Sequence, residues 1–159
     1  MNNQEIERKY LLRDQSFRSL ATAVQHIRQG YLCLDPDRTI RIRCKDDKAF
    51  ITVKGRNAEG SIARFEWEKP LAPADAQALF PLCIGEVVDK ERYLVPWGTR
   101  TVEVDVFHGA NEGLVMAEIE LPDEHTPVPA IPFLGEEVTA DCRYYNSFLS
   151  AHPYTTWNT

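Results

Sequence analysis

Glu5, Glu7 and Lys9 stand two residues apart near the start of the chain, and the same spacing returns along its length. Arg41, Arg43 and Lys45 repeat it, as do Arg64, Glu66 and Glu68, then Lys90 and Arg92, Glu103 and Asp105, and Glu118 and Glu120. In an extended chain, residues two apart share a face, so each set presents its charges on one side of a strand. Two carboxylates or two guanidiniums that close repel unless something of opposite charge lies between them. A cation would serve the carboxylates, and an anion would serve the basic residues. Arginine forks suit phosphate oxygens and lysines add compact charge. Hard carboxylate oxygens suit Mg2+ or Mn2+. Carboxylates two apart on one strand lie roughly 6.7 Å from each other, at about 3.3 Å rise per residue, so ligands from two strands are expected around one ion.

The opposite face of these segments is largely apolar: Ile40, Ile42 and Cys44; Ala63, Phe65 and Trp67; Val102, Val104 and Val106; Ala117, Ile119 and Leu121. A sheet with one side in water also alternates in this way. Exposed strand faces, however, usually mix Thr, Ser, Gln and Lys, whereas here like-charged pairs recur in nearly every strand. A barrel with the charged face inward and the apolar face turned outward under helices accounts for both sides. About eight strands leave room for one small ligand. Burying so many charges stabilises little unless they are paired or bind ions, so such an interior makes sense as a site.

The elements that would position these residues are mostly strands, expected at Glu5–Leu12, Ile27–Leu34, Thr39–Lys45, Ala49–Lys54, Ile62–Lys69, Glu86–Pro96, Thr101–His108 and Leu114–Leu121. Turn signals part several of them: Asp35-Pro36-Asp37, Asp46-Asp47, Asn57 to Gly60 and Gly109 to Gly113. Short helices are expected at Asp14–Ala21, Pro73–Phe80 and about Asp141–Ser150, the second with Pro73 in its first turn, where a missing N–H costs nothing. The stretch Pro122 to Pro132 reads as a surface loop. The predicted fold is therefore mainly β (α+β), a closed eight-stranded antiparallel barrel with a charged lumen and helices packed outside, and residues 1–159 form a single domain.

Composition narrows the alternatives. A net charge of −6 argues against a general nucleic-acid binder. No run of about 18 apolar residues occurs, so no membrane span is expected. The opening MNNQEIERKYLL has no secretory signal pattern. Cys33, Cys44, Cys83 and Cys142 form no ligand cluster, and reduced thiols in a cytoplasmic protein are the expectation. His26, His108, His125 and His152 lie in no zinc-binding spacing. Neither a nucleophile elbow nor a phosphate-binding glycine loop is present. Trp67, Trp97 and Trp157 are expected in core or rim packing rather than stacked on a ligand base.

The blocks resemble those of the CYTH superfamily, the triphosphate tunnel metalloenzymes. Glu5-Ile6-Glu7-Arg8-Lys9 is similar to the family's ExExK signature. The likeness runs on through Gln29-Gly30-Tyr31, Arg41-Ile42-Arg43, Thr52-Val53-Lys54-Gly55, Phe65-Glu66-Trp67-Glu68, Lys90-Glu91-Arg92-Tyr93, Glu103 to Phe107, Ala117 to Leu121 and Arg143 to Ser147. Size and blocks look most like the short bacterial members associated with inorganic tripolyphosphatase activity. The resemblance implies a closed β-tunnel that hydrolyses inorganic tripolyphosphate to phosphate and pyrophosphate with Mg2+ or Mn2+. It implies metal binding by Glu5, Glu7, Glu118 and Glu120, and phosphate binding by Lys9, Arg41, Arg43, Lys54, Lys90 and Arg92. Lys9, Glu5 and Glu7 are thereby expected in the catalytic set. Tyr31 lies where short members carry a suspected proton acceptor; a structural tyrosine whose hydroxyl orders a neighbour is the alternative. Two other functions stay open: an enzyme of the same fold acting on an organic triphosphate (a nucleoside or thiamine triphosphatase, or an adenylate cyclase), and a polyphosphate-binding module without turnover. No nucleic-acid or membrane partner is expected, and oligomeric state is left unassigned.

Overall fold

The computed structural model describes residues 3–157. Ten strands make one antiparallel sheet: β1 (Gln4–Glu5), β2 (Glu7–Leu12), β3 (Ala23–Asp35), β4 (Arg38–Lys45), β5 (Lys48–Asn57), β6 (Arg64–Leu71), β7 (Ile84–Trp97), β8 (Arg100–His108), β9 (Val115–Glu120) and β10 (Leu134–Glu137). Their order in the sheet is β1-β6-β5-β4-β3-β7-β8-β9-β2-β10. Among the described residues three α-helices accompany them: α1 (Phe17–Leu20), α2 (Pro73–Leu79) and α3 (Asn146–Ala151). Tight turns make the hairpins. Asp46 at φ 53 turns β4 into β5, and Gly98 at φ 62 turns β7 into β8, both in the left-handed region that Gly and Asp tolerate best.

The expected closed eight-stranded barrel is corrected in number and closure. Among the described residues the sheet has ten strands, and no ladder joins its ends, β1 and β10. The extra strands have local causes. Pairing breaks at Ile6, so one stretch of chain gives two strands with different partners: Gln4 and Glu5 pair with β6, while Glu7 to Leu11 pair with β9. β10 takes the other edge of β2, and its sequence, Leu-Gly-Glu-Glu, lacks the alternation that marks a half-buried strand. The sheet therefore curls until its β6 and β9 sides flank a single continuous segment.

The apolar face does turn outward. Val95, Val102, Val104, Ala117 and Ile119 pack under Phe17 of α1 and under Ile131 and Phe133 of the loop before β10. α2 covers Ile42 and Ala49 with Ala76. Part of that face stays open, for Phe65 and Trp67 on β6 are exposed. α3 corrects the expectation of helices on the outside. Its Leu149 packs with Val88, Phe107 and Met116, which share the inward face with Lys90, Asp105 and Glu118. This helix therefore seals one end of the curled sheet with an apolar plug. It is shorter than expected because the segment from Asp141 first makes a 3-10 turn at Cys142–Tyr144.

Candidate active site

Strand register decides which charges meet, since directly opposed residues on neighbouring strands point the same way. Lys9 lies opposite Glu118, Glu118 opposite Glu103, and Glu7 opposite Glu120. Arg92 faces Asp105, Tyr31 faces Arg41, Arg41 faces Thr52, and Lys54 faces Glu66. These pairs run round the inside of the sheet, and all of their members but Asp105 and Thr52 line a cavity of about 490 Å³. The charged face is an interior, and the alternative of a solvated outer face does not hold.

The β4 wall is positive beyond its partners. Arg43 donates its Nε hydrogen to Gln29 Oε1 at 2.9 Å. Among the described residues, no carboxylate lies within ion-pair distance of Arg43 or Lys45. Arg41 reaches Thr52 Oγ1 at 3.1 Å and Glu68 at 3.4 Å, while its buried Nε has no acceptor. Burial, with Arg41 and Arg92 nearby, pushes the Arg43 guanidinium down to about 9. Burial and the same kind of crowding, from Arg43 and Arg92, lower Lys45. Each shift marks a cation short of negative charge.

The β1, β2 and β9 wall has the reverse imbalance. Glu5, Glu7, Glu118 and Glu120 converge there with only two lysines among them. Lys9 Nζ bridges Glu7 Oε1 at 3.0 Å and Glu118 Oε1 at 2.9 Å. Lys54 Nζ lies 2.8 Å from Glu5 and 3.4 Å from Glu66. Burial and then Glu118 push Glu7 up to about 7. Burial, with Glu5, Glu7 and Glu103 close by, raises Glu120 too. Glu118 is held well below the usual carboxylate range: Lys9, Arg92 and Lys90 outweigh the cost of its burial. A hard cation fits this set, because it would relieve the crowding that now favours protons on Glu7 and Glu120. Among the described residues, no three acidic, His or Cys side chains are gathered into a metal-binding group by themselves.

Of the residues singled out from the sequence, Glu5, Glu7, Lys9, Tyr31, Arg41, Arg43, Lys54, Arg92, Glu118 and Glu120 all line the cavity. Lys90 does not. Its ammonium is fully buried on the same inward face, beside α3, 2.8 Å from Asp105 and 2.9 Å from Asn146 Oδ1. Arg92 is more constrained than a free grip, since Asp105 holds it with two hydrogen bonds and Glu103 with a third. Lys45 lines the cavity but was not singled out, although its parity with Arg41 and Arg43 marks it. Gln29, Thr52 and Asn146 are uncharged, so counting charges passed over them. Tyr145, Asn146 and Ser147 reach the cavity from just before and within α3, which no strand pattern foretells. Trp67, Trp97 and Trp157 lie away from it, Trp97 against Phe133 and Trp157 against Tyr144 and Tyr154.

A curled antiparallel sheet around one cavity, lined by opposed acidic and basic walls, defines a class of protein built to hold a polyanion together with cations. Residues 3–146 match the CYTH domain, and the chain belongs to that family. It is 43% identical over 150 residues to an inorganic triphosphatase of Acetivibrio thermocellus, covering 94% of this chain and 95% of that one. It is 35% identical over 151 residues to an inorganic triphosphatase of Nitrosomonas europaea, covering 92% and 96%. Among solved structures, that of the inorganic triphosphatase NE1496 aligns with a TM-score of 0.62 at 31% identity, over 92% of this chain and 97% of that one.

Proposed function

We propose that this protein hydrolyses inorganic tripolyphosphate to phosphate and pyrophosphate inside the cavity. The observation that carries the reading is the opposition of a cation-rich β4 wall to a carboxylate-rich β1/β2/β9 wall across one space of about 490 Å³. A metal-bound polyphosphate has this complementary pattern of charge. Two relatives named inorganic triphosphatases, aligned over nearly the whole chain, support the same conclusion.

In this reading Arg41, Arg43, Lys45 and Lys54 hold the phosphate oxygens. Most of the phosphate-gripping donors come from one strand face, so the chain is held straight along β4. Transfer of a phosphoryl group asks for positioning and for stabilisation of charge on its oxygens. Buried guanidiniums with unused donors supply both, since they need no reorganisation when the anion arrives. Lys9 sits within the carboxylate-rich wall and orients Glu7 and Glu118. Lys90 acts indirectly, by sharing Asp105 with Arg92. Glu5, Glu7, Glu118 and Glu120 would hold Mg2+ or Mn2+, with phosphate oxygens and waters completing the shell. Such an ion, when bound, neutralises phosphate charge and lowers the pKa of a bound water.

Phosphate release from tripolyphosphate decides the matter. Turnover should appear with Mg2+ or Mn2+ and vanish in excess EDTA. A protein that binds tripolyphosphate but releases no phosphate with any divalent ion would be a binding module instead.

A further inference from the structure

Gln29 has no charge and no place on the cavity wall, yet it is fully buried and its amide is engaged at both ends. Arg43 Nε donates to Gln29 Oε1 at 2.9 Å, and Gln29 Nε2 donates to the Tyr31 hydroxyl oxygen at 3.4 Å. Chemistry dictates the direction of both bonds. A guanidinium N–H can only donate, so the amide oxygen must face Arg43. The NH2 end then faces Tyr31 and can only donate as well. The phenol oxygen is therefore an acceptor on that side, and its own hydrogen must point elsewhere. Tyr31 lines the cavity and lies opposite Arg41 in the β3–β4 register.

The backbone around this relay is shaped for it. β3 slips register against β7 between Gln29 and Tyr31, and against β4 between Tyr31 and Cys33. Such irregularities re-aim a side chain next to a site. Gly30 stands between Gln29 and Tyr31, and an added Cβ there would meet Cys83 Sγ at 2.7 Å, so a side chain would have to push Cys83 aside.

Building on the triphosphatase reading, we propose that Gln29 is a positioning residue that makes Tyr31 a hydrogen-bond donor to a phosphate oxygen. Arg43 orients the amide, the amide occupies the phenol oxygen, and the phenol hydrogen is left for the substrate. This polarity is that of a neutral phenol presenting its hydrogen, whereas a proton acceptor would have to be the phenolate. A donor aimed at a transferring phosphoryl group acts on the oxygens where charge is stabilised.

A double-mutant cycle in kcat tests the relay. Gln29→Met is close in volume and removes both hydrogen bonds, and Tyr31→Phe removes only the hydroxyl. Each should lower kcat for tripolyphosphate by about a hundredfold, the low end of the range for losing one such donor. The combined variant should be no slower than Tyr31→Phe alone, because nothing remains to misdirect. Any change in KM that Gln29→Met causes through Arg43 should persist in both backgrounds. If Gln29→Met lowers kcat by the same factor with and without the Tyr31 hydroxyl, the proposal is wrong. Should Gln29→Met fail to fold, Gln29→Glu takes its place. Its carboxylate accepts from both neighbours and pulls the phenol hydrogen away, so its loss in kcat must again be smaller in the Tyr31→Phe background. Calorimetric binding of tripolyphosphate in EDTA separates this proposal from its parent. A wild-type protein that binds there but turns nothing over once Mg2+ or Mn2+ is supplied removes the triphosphatase reading. The donor role then stands if Gln29→Met and Tyr31→Phe weaken binding without adding to each other, and falls if they add.

Discussion

Lys90 Nζ lies 2.8 Å from Asp105 Oδ2, with both side chains removed from water, and the same carboxylate also holds Arg92 at 2.8 and 2.9 Å. One buried carboxylate thus serves two buried cations. Against the cost of burying it, Arg92 and Lys90 together hold Asp105 below its usual range. Removing that carboxylate would leave two cations facing each other, whereas removing the lysine leaves an intact pair. Asp105→Ala should therefore destabilise the fold by about 3–5 kcal/mol, the cost of breaking a buried pair from one side. Lys90→Met should cost much less. Urea unfolding of the two variants checks this, and equal losses would contradict the sharing of Asp105.

The same triad sets a pH dependence. Burial pushes the Lys90 ammonium down from 10.5 to about 7, and Arg92 and Arg43 offset part of the pull from Asp105. Between these values the unfolded chain carries a proton that the folded chain does not, so stability rises with pH across that window. The contribution is fully present above 10.5 and is lost as pH falls to about 7. In EDTA, the melting temperature of the wild type should gain more between pH 7 and pH 9 than that of Lys90→Met. Parallel profiles for the two proteins would rule Lys90 out as the source.

Lys9 occupies the space that a cation would compete for. Despite the cost of burial, Glu118 and Glu7 hold its ammonium above the usual lysine range, so it stays charged between them. Lys9→Met should bind Mg2+ or Mn2+ more tightly, since one positive charge leaves the carboxylate cluster. The same variant should turn over tripolyphosphate more slowly, by about a hundredfold, as for the loss of one electrostatic donor to the transition state. Metal titration calorimetry reads the first effect without reference to activity. Weaker metal binding would mean that Lys9 organises the carboxylates rather than diluting their charge.

The inside of this protein was legible in the sequence because parity in a strand is a strict geometric rule. Glu5, Glu7, Arg41, Arg43, Glu118 and Glu120 share one face wherever their strands run extended, and register then brings them together. Other features were hidden for physical reasons. The break at Ile6 swaps hydrogen-bond partners without altering the alternation of side chains, so the first strand reads as one. β10 is four residues long and half exposed, too short to show a period. α3 seals the cavity through Leu149, a contact fixed by tertiary packing with Val88 and Phe107 rather than by any local pattern. Lys90 and Arg92 look identical in parity, yet only Arg92 lines the cavity, because Asn146 and Asp105 bury the lysine ammonium on that face.

Substrate choice follows from how the cations are spaced. Arg41, Arg43 and Lys45 succeed one another along β4, with Lys54 on the neighbouring strand, so a linear chain of phosphates meets a new cation at each step. The three tryptophans that could have stacked on a base are committed to packing elsewhere or lie on the outer face. Tripolyphosphate should therefore be cleaved with a higher kcat/KM than ATP or thiamine triphosphate. Pyrophosphate should be a poor substrate, since it engages fewer cations and loses the binding energy of the remote phosphate in the transition state. Arg41→Ala and Lys54→Ala should raise KM for tripolyphosphate, because these residues hold the chain in ground and transition states alike. Glu7→Gln and Glu118→Gln should act mainly on kcat and on the metal concentration required. Side-by-side phosphate-release assays on the four substrates provide the check. A higher kcat/KM for ATP or thiamine triphosphate would assign the cavity to an organic triphosphate instead.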